Sequence, residues 1–254
     1  MQRNALLLLA VSALVVLAGC TGALPGGTDE PTTDDMEYPD GVSETGTNLT
    51  ALTQAHADAL DESSFTLGVD STQNTSMGNQ SVAMTAAVSD DREQMRANVS
   101  AAGQQSEMYL TENTQYTRIS AGGQTQYDAS ERTSDGAQFV PQSYSGATYV
   151  DQFGGETAAN FTPTDVREID GTTLIVLEAD GSNVSAPEGA SFADYNATML
   201  VDEQGVIHSF EVSLESEQNG ASANVSFAMN VSDVNETTVE EPSWLDEAKN
   251  QTGE

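Results

Sequence analysis

The chain holds one cysteine, one tryptophan and only 7 lysine and arginine residues among 254. Each shortage removes a class of protein. A lone thiol cannot form a disulfide framework, a thiolate zinc site or a CxxC redox motif. Seven basic residues against 40 acidic ones, for a net charge of −33, build no patch that attracts a phosphate backbone, so no nucleic-acid partner is expected. The patterns G-x-S-x-G, H-E-x-x-H and S-x-x-K, the P-loop and the EF-hand loop are all missing. A serine triad needs a histidine base, and neither His56 nor His208 sits in a motif of that kind. No catalytic residue, metal ligand or cofactor is therefore assigned, and the chain is read as a non-enzyme. The many carboxylates leave glycosidase-type acid pairs and surface calcium sites open without pointing to either.

Long apolar runs are also scarce. The one present, Ala5 to Ala18, follows Arg3 and is shorter than the roughly 20 residues of a bilayer span. It ends in Leu17-Ala18-Gly19-Cys20, which resembles the lipobox of exported lipoproteins. The resemblance implies a signal peptide over 1–19, lipid attachment at Cys20 and residence on the extracytoplasmic face of the cell membrane; the alternative is an uncleaved signal anchor. Residues 20–47 are rich in Gly, Pro, Thr and Asp and read as a disordered, lipid-anchored tether with a reach of roughly 30 Å.

Acidic residues run along the whole mature chain, and Lys249 is its only lysine. At molar salt the Debye length falls to about 3 Å and the mutual repulsion of such a surface is screened, so the composition reads as salt-adapted. Eleven of the 14 asparagines lie in N-x-S/T: Asn48, Asn74, Asn79, Asn98, Asn160, Asn183, Asn196, Asn224, Asn230, Asn235 and Asn250. Chance would give about three, so these are candidate glycosylation sites on an exported surface; the plainer alternative is that Asn and Ser/Thr co-occur in polar strands.

Leu49, Leu52, His56, Ala59 and Leu60 fall on one face of a helix from Asn48 to Asp61, with Asn48 as its N-cap. Alternating stripes follow: Phe65-Leu67-Val69, Val82-Met84-Ala86-Val88 and Met95-Ala97-Val99. The later ones are Ala197-Met199-Val201, Val206 to Leu214 and Ala223 to Val231, with Asp202 to Gly205 as a turn. Leu174–Leu177 reads as a strand buried on both faces. The pattern breaks between Ser143 and Phe161, which is a short helix or a crossing loop. Ser243-Trp244-Leu245-Asp246 has capping-box form before a terminal helix. His56 and His208 both fall on apolar parities; they read as hydrogen-bonded core residues rather than ligands of a soft metal near Met84, Met95 or Met229.

The expected fold is α+β and mostly β: a curved antiparallel sheet, or half-barrel, with an N-terminal amphipathic helix and short helices over one face, forming a single domain over 48–250. The stretch Met199-Leu200-Val201-Asp202-Glu203-Gln204-Gly205-Val206-Ile207 resembles the hairpin of LolA/LppX-like lipoprotein carriers. Tyr38-Pro39-Asp40-Gly41, the segment Asn48 to His56 and Pro242-Ser243-Trp244-Leu245 resemble haloarchaeal surface lipoproteins of unassigned function. The carrier resemblance implies an apolar cavity between helices and sheet that holds a lipid or other hydrophobic ligand. The rival expectation is a non-catalytic, glycosylated module that contacts other cell-envelope proteins. An accessible apolar cavity favours the first, and a closed core the second.

Overall fold

In the computed structural model the described residues are 36–76, 78–132, 144–155, 159–181, 190–218 and 221–253. The signal peptide expected over 1–19, Cys20 and Asn183 lie outside them. Helix α1 (Leu49–Asp61) begins as the sequence requires: Asn48 Oδ1 accepts the Ala51 N–H at 3.2 Å. Its far end is closed by Arg92, whose guanidinium donates to the carbonyls of Leu60, Ser63 (2.8 Å) and Ser89 (2.6 Å). A cation there also suits the negative end of the helix dipole.

Two meanders follow. The first runs β3 (Phe65–Thr75), β4 (Gly78–Val88), β5 (Met95–Ala101), β6 (Gln104–Leu110), β7 (Thr114–Ala121) and β8 (Gln124–Glu131). The second runs β9 (Thr162–Ile169), β10 (Thr172–Asp180), β11 (Ala190–Val201), β12 (Ile207–Gln218) and β13 (Ala221–Ser232). They join through β13 and β3 into one antiparallel sheet of 11 strands, ordered β8-β7-β6-β5-β4-β3-β13-β12-β11-β10-β9, which is curved and does not close. The expected architecture is thus observed. Consecutive strands are neighbours everywhere except between β8 and β9, which occupy opposite edges. The chain must therefore cross a face of the sheet, roughly 50 Å at 4.8 Å per strand. The described part of this crossing holds α2 (Ala147–Val150) and a π-helical turn, Asp151–Gly155. Its apolar side chains Tyr144, Val150 and Phe161 are buried in the same core as Leu52, Leu60, Phe65 and Met229.

The alternation expected for the strands is present. Leu67, Ala86, Ala97 and Met108 stand in register on the face that carries α1, while Gly68, Thr85, Asn98 and Glu107 stand on the other. All of Leu174–Leu177 are buried, as a two-sided strand demands. In the turn before β12, Asp202 Oδ1 accepts the N–H groups of Gln204 and Val206, both at 2.9 Å, and Gly205 takes φ +90°.

Two sequence expectations need correction. The disordered stretch expected over 20–47 does not extend to residue 47. Pro39 and Val42 are buried, Met36 and Tyr38 pack on the main core, and β1 (Val42–Ser43) pairs with β2 (Gly46–Thr47). Gly41, at φ +91°, lets the backbone pass so close to α1 that a Cβ there would lie 2.4 Å from Leu52 N. The Tyr38-Pro39-Asp40-Gly41 segment is a structural turn, which its polar composition concealed. The terminal helix α3 (Leu245–Thr252) also differs: Trp244 occupies its N-cap without a side-chain capping bond, and the helix lies on the face opposite α1. There Trp244, Leu245 and Ala248 pack on Tyr109 and Tyr116 in a second, smaller core.

Candidate functional site

Beneath α1 the helix-bearing face is filled. Leu52, His56 and Leu60, one turn apart, are all buried, and the leucines belong to the main core. His56 is held from both ring nitrogens. Its Nε2 donates to the Ser145 carbonyl at 2.7 Å, and its Nδ1 accepts the Ile207 N–H at 3.1 Å. These partners fix the neutral tautomer and tie together α1, the crossing segment and β12. Burial, only partly opposed by the Ser145 hydrogen bond, pushes its pKa from 6.5 down to about 4. His208 lies outside this core, with Nε2 at 2.8 Å from Asp202 Oδ2. The two histidines thus serve as hydrogen-bonded structural groups. Among the described residues no three His, Cys, Asp or Glu side chains gather as a metal site would need.

The β13–β10 half of the same face is covered by the crossing segment. Phe153 stacks on Phe227 at 4.4 Å, Tyr149 meets the same ring at 5.4 Å, and Tyr195 Oη donates to the Phe153 carbonyl at 2.9 Å. The β4–β7 half is treated differently. Next to buried Ala86 and Ala97, the following row in register is Val69, Met84, Val99, Ser106 and Ile119. Val69 is buried, Met84 and Val99 are half-buried, and Ile119 is 37% exposed; Val82, in the row beyond, is 42% exposed. This largely apolar strip begins at buried Val69 on β3 and runs out across β4, β5, β6 and β7. Its side chains carry no charge, so what it offers chemically is a surface for methylene or methyl groups, worth about 0.8 kcal/mol per methylene covered.

The opposite face, more polar outside the small core under α3, carries two further features. A cavity of about 540 Å³ lies over Leu174, Leu200 and Val234, rimmed by His208, Asp170 and Asp233. Farther along, Glu107 binds Arg118, approaches Arg96 at 3.8 Å and accepts Trp244 Nε1–H at 2.8 Å. That carboxylate ties the sheet to the N-cap of α3, and Tyr127 Oη, donating to Glu247 Oε2 at 3.0 Å, ties β8 to the helix itself.

The sequence-derived sites are dispersed. Asn48, Asn74, Asn79, Asn98, Asn160, Asn196, Asn224, Asn230, Asn235 and Asn250 are all exposed, and none lies in the strip. Val69, Val82, Met84 and Val99 of the strip lie in three of the alternating stripes and Ser106 and Ile119 do not, and which of these residues stay uncovered depends on the packing of the helix-bearing face. Ser145, Phe153 and Glu107 carry no sequence signal of their roles.

Together these features define a mostly β protein built on one large antiparallel sheet, with helices over part of one face and, among the described residues, an exposed apolar strip on the same face. The chain belongs to a family of unknown function, DUF7537, whose model matches residues 5–248. No curated protein matches its sequence. Among solved structures it is similar to the MucA/MucB complex of Pseudomonas aeruginosa, at 13% identity and TM-score 0.30, over 72% of this chain and 56% of that one. It thus spans little more than half the length of that chain. It is also similar to a DUF1329 family protein from Desulfovibrio piger (10% identity, TM-score 0.25, 77% of this chain and 95% of that one). A third is a candidate outer membrane lipoprotein-sorting protein domain from Vibrio parahaemolyticus (9% identity, TM-score 0.26, 80% and 99%).

Proposed function

We propose that this chain is an exported, lipid-anchored, salt-adapted envelope protein of the kind found in haloarchaea, which holds a lipid or other apolar ligand against the open strip of its helix-bearing face. The observation that carries the reading is the exposure of Val82 and Ile119 beside half-buried Met84 and Val99, on the face where the adjacent row Leu67, Ala86, Ala97 and Met108 is buried. Such a surface favours a flexible apolar occupant: Met84 adapts its shape, and no charge has to be desolvated. The ligand place is beside α1 rather than beneath it, because Leu52, His56 and Leu60 already occupy the helix–sheet interface. The anchor is assigned from Leu17-Ala18-Gly19-Cys20, and no catalytic role is assigned. The reading is tested by purifying the full chain from membranes in molar salt and extracting it with organic solvent. A stoichiometric lipid or isoprenoid in the extract, lost from a Val82→Glu/Ile119→Glu variant, supports it; an empty wild-type protein counts against it.

A second reading draws on the same filled interface. A core closed beneath α1 suits a non-catalytic interaction module, in which the strip meets an apolar segment of another envelope protein. The two separate on whether small apolar molecules bind to the isolated protein.

A further inference from the structure

The six sequon asparagines on strands, Asn74, Asn79, Asn98, Asn196, Asn224 and Asn230, all stand on the face opposite α1. Where the sequon's hydroxyl residue also lies on the strand, side chains two residues apart point the same way, so amide and hydroxyl emerge together, as in Asn98/Ser100, Asn224/Ser226 and Asn230/Ser232. Asn196 Nδ2 already donates to Asp194, at 3.1 and 3.2 Å. The side chains of Asn74, Asn79, Asn98, Asn224 and Asn230 make no hydrogen bond to another described residue.

Register adds a constraint that the sequence does not express. Asn224 pairs with Asn74, and Asn74 pairs with Asn79, so three acceptor residues lie side by side across β13, β3 and β4. Direct cross-strand partners have Cβ atoms about 5 Å apart. The outer two are then about 10 Å apart. Sugars on both members of a direct pair would have to occupy the same space above the sheet, whereas Asn98 and Asn230 are separated by Gly68 and Thr85.

We propose that the sheet face opposite α1 is an N-glycan-bearing face on which Asn74 excludes glycans from its neighbours Asn79 and Asn224, while Asn98 and Asn230 are modified independently. The glycans then shield this face and leave the apolar strip, on the other side, uncovered.

The experiment uses the full chain purified from its natural host. No Asp or Glu lies between Asp70 and Asp90, so cleavage after acidic residues leaves Asn74 and Asn79 on the single peptide 71–90. Intact glycopeptide mass spectrometry should find glycan on Asn98 and Asn230, and 71–90 with no glycan or one but never two. An Asn74→Gln variant should raise occupancy at Asn79 and Asn224. Doubly modified 71–90 from folded protein, at the frequency that independent occupancies would give, overturns the exclusion. Absence of glycan from all the strand sequons overturns the proposal entirely.

Discussion

Acidification should unfasten α1 through His56. In the folded protein this imidazole stays neutral down to about pH 4, whereas in the unfolded chain it protonates near 6.5. Between those values the unfolded state binds the extra proton, so folding stability falls as pH drops from about 6.5 to about 4 and loses nothing further to this group below that. At about 1.4 kcal/mol per pH unit the loss is about 3 kcal/mol, a large share of a domain's usual 5–15 kcal/mol. Protonation costs this much because the charge has little solvent and because Nδ1–H can no longer accept the Ile207 N–H. The comparison is with His56→Gln, which removes the titration but leaves every carboxylate in place. Urea unfolding in molar salt would be followed by far-UV circular dichroism and by fluorescence of Trp244, the only tryptophan. At pH 7 the wild type should lead the variant by about 1–3 kcal/mol, the cost of leaving buried partners unpaired. That lead should shrink by about 3 kcal/mol on going to pH 4. A difference that stays constant across this range would refute the burial argument.

Three other perturbations address separate parts of the fold. Gly41→Ala places a Cβ 2.4 Å from Leu52 N at φ +91°, and should cost at least about 1–3 kcal/mol by urea titration. A neutral result would mean that residues 36–47 do not pack on α1 as described. Glu107→Ala removes the acceptor shared by Arg118 and Trp244; at this half-exposed site the expected loss is about 1–2 kcal/mol, with a red-shifted Trp244 emission from a looser α3. Dialysis from molar to millimolar salt should unfold the domain reversibly, as a chain of net charge −33 loses screening, and an unchanged thermal midpoint would contradict the salt-adapted reading.

Much of the fold was legible because the sheet needs one apolar side per strand. The stripes at Phe65-Leu67-Val69 and Val82 to Val88, and the Asp202–Gly205 turn, carry their own local signals, as does the Asn48 cap of α1. Pairing order was less accessible: nothing local in β13 says that its partner is β3, some 150 residues earlier in the chain, rather than another strand of the same pattern. The site depends on that order. Among the described residues of the crossing from β8 to β9, Tyr149 and Phe153 pack on Phe227 while Val82 and Ile119 stay exposed, which is a property of topology and not of their neighbours in sequence. The capping-box form at Ser243 misled for a related reason: Trp244 is drawn onto Tyr109 and Tyr116, and the helix starts one residue later. Residues 36–47 look like linker because their few burying groups, Tyr38, Pro39 and Val42, are spread among Asp, Glu and Gly.

The most direct test of the account is titration of the full chain, in molar salt, with an environment-sensitive fluorescent fatty acid, beside the Val82→Glu/Ile119→Glu variant. Both substituted positions are solvent-exposed, so the variant should unfold at nearly the wild-type urea midpoint. The account predicts saturable, near-stoichiometric uptake by the wild type and at least a tenfold weaker response from the variant. Equal binding by both proteins, or none by the wild type, would contradict the claim that the open strip is where an apolar ligand is held.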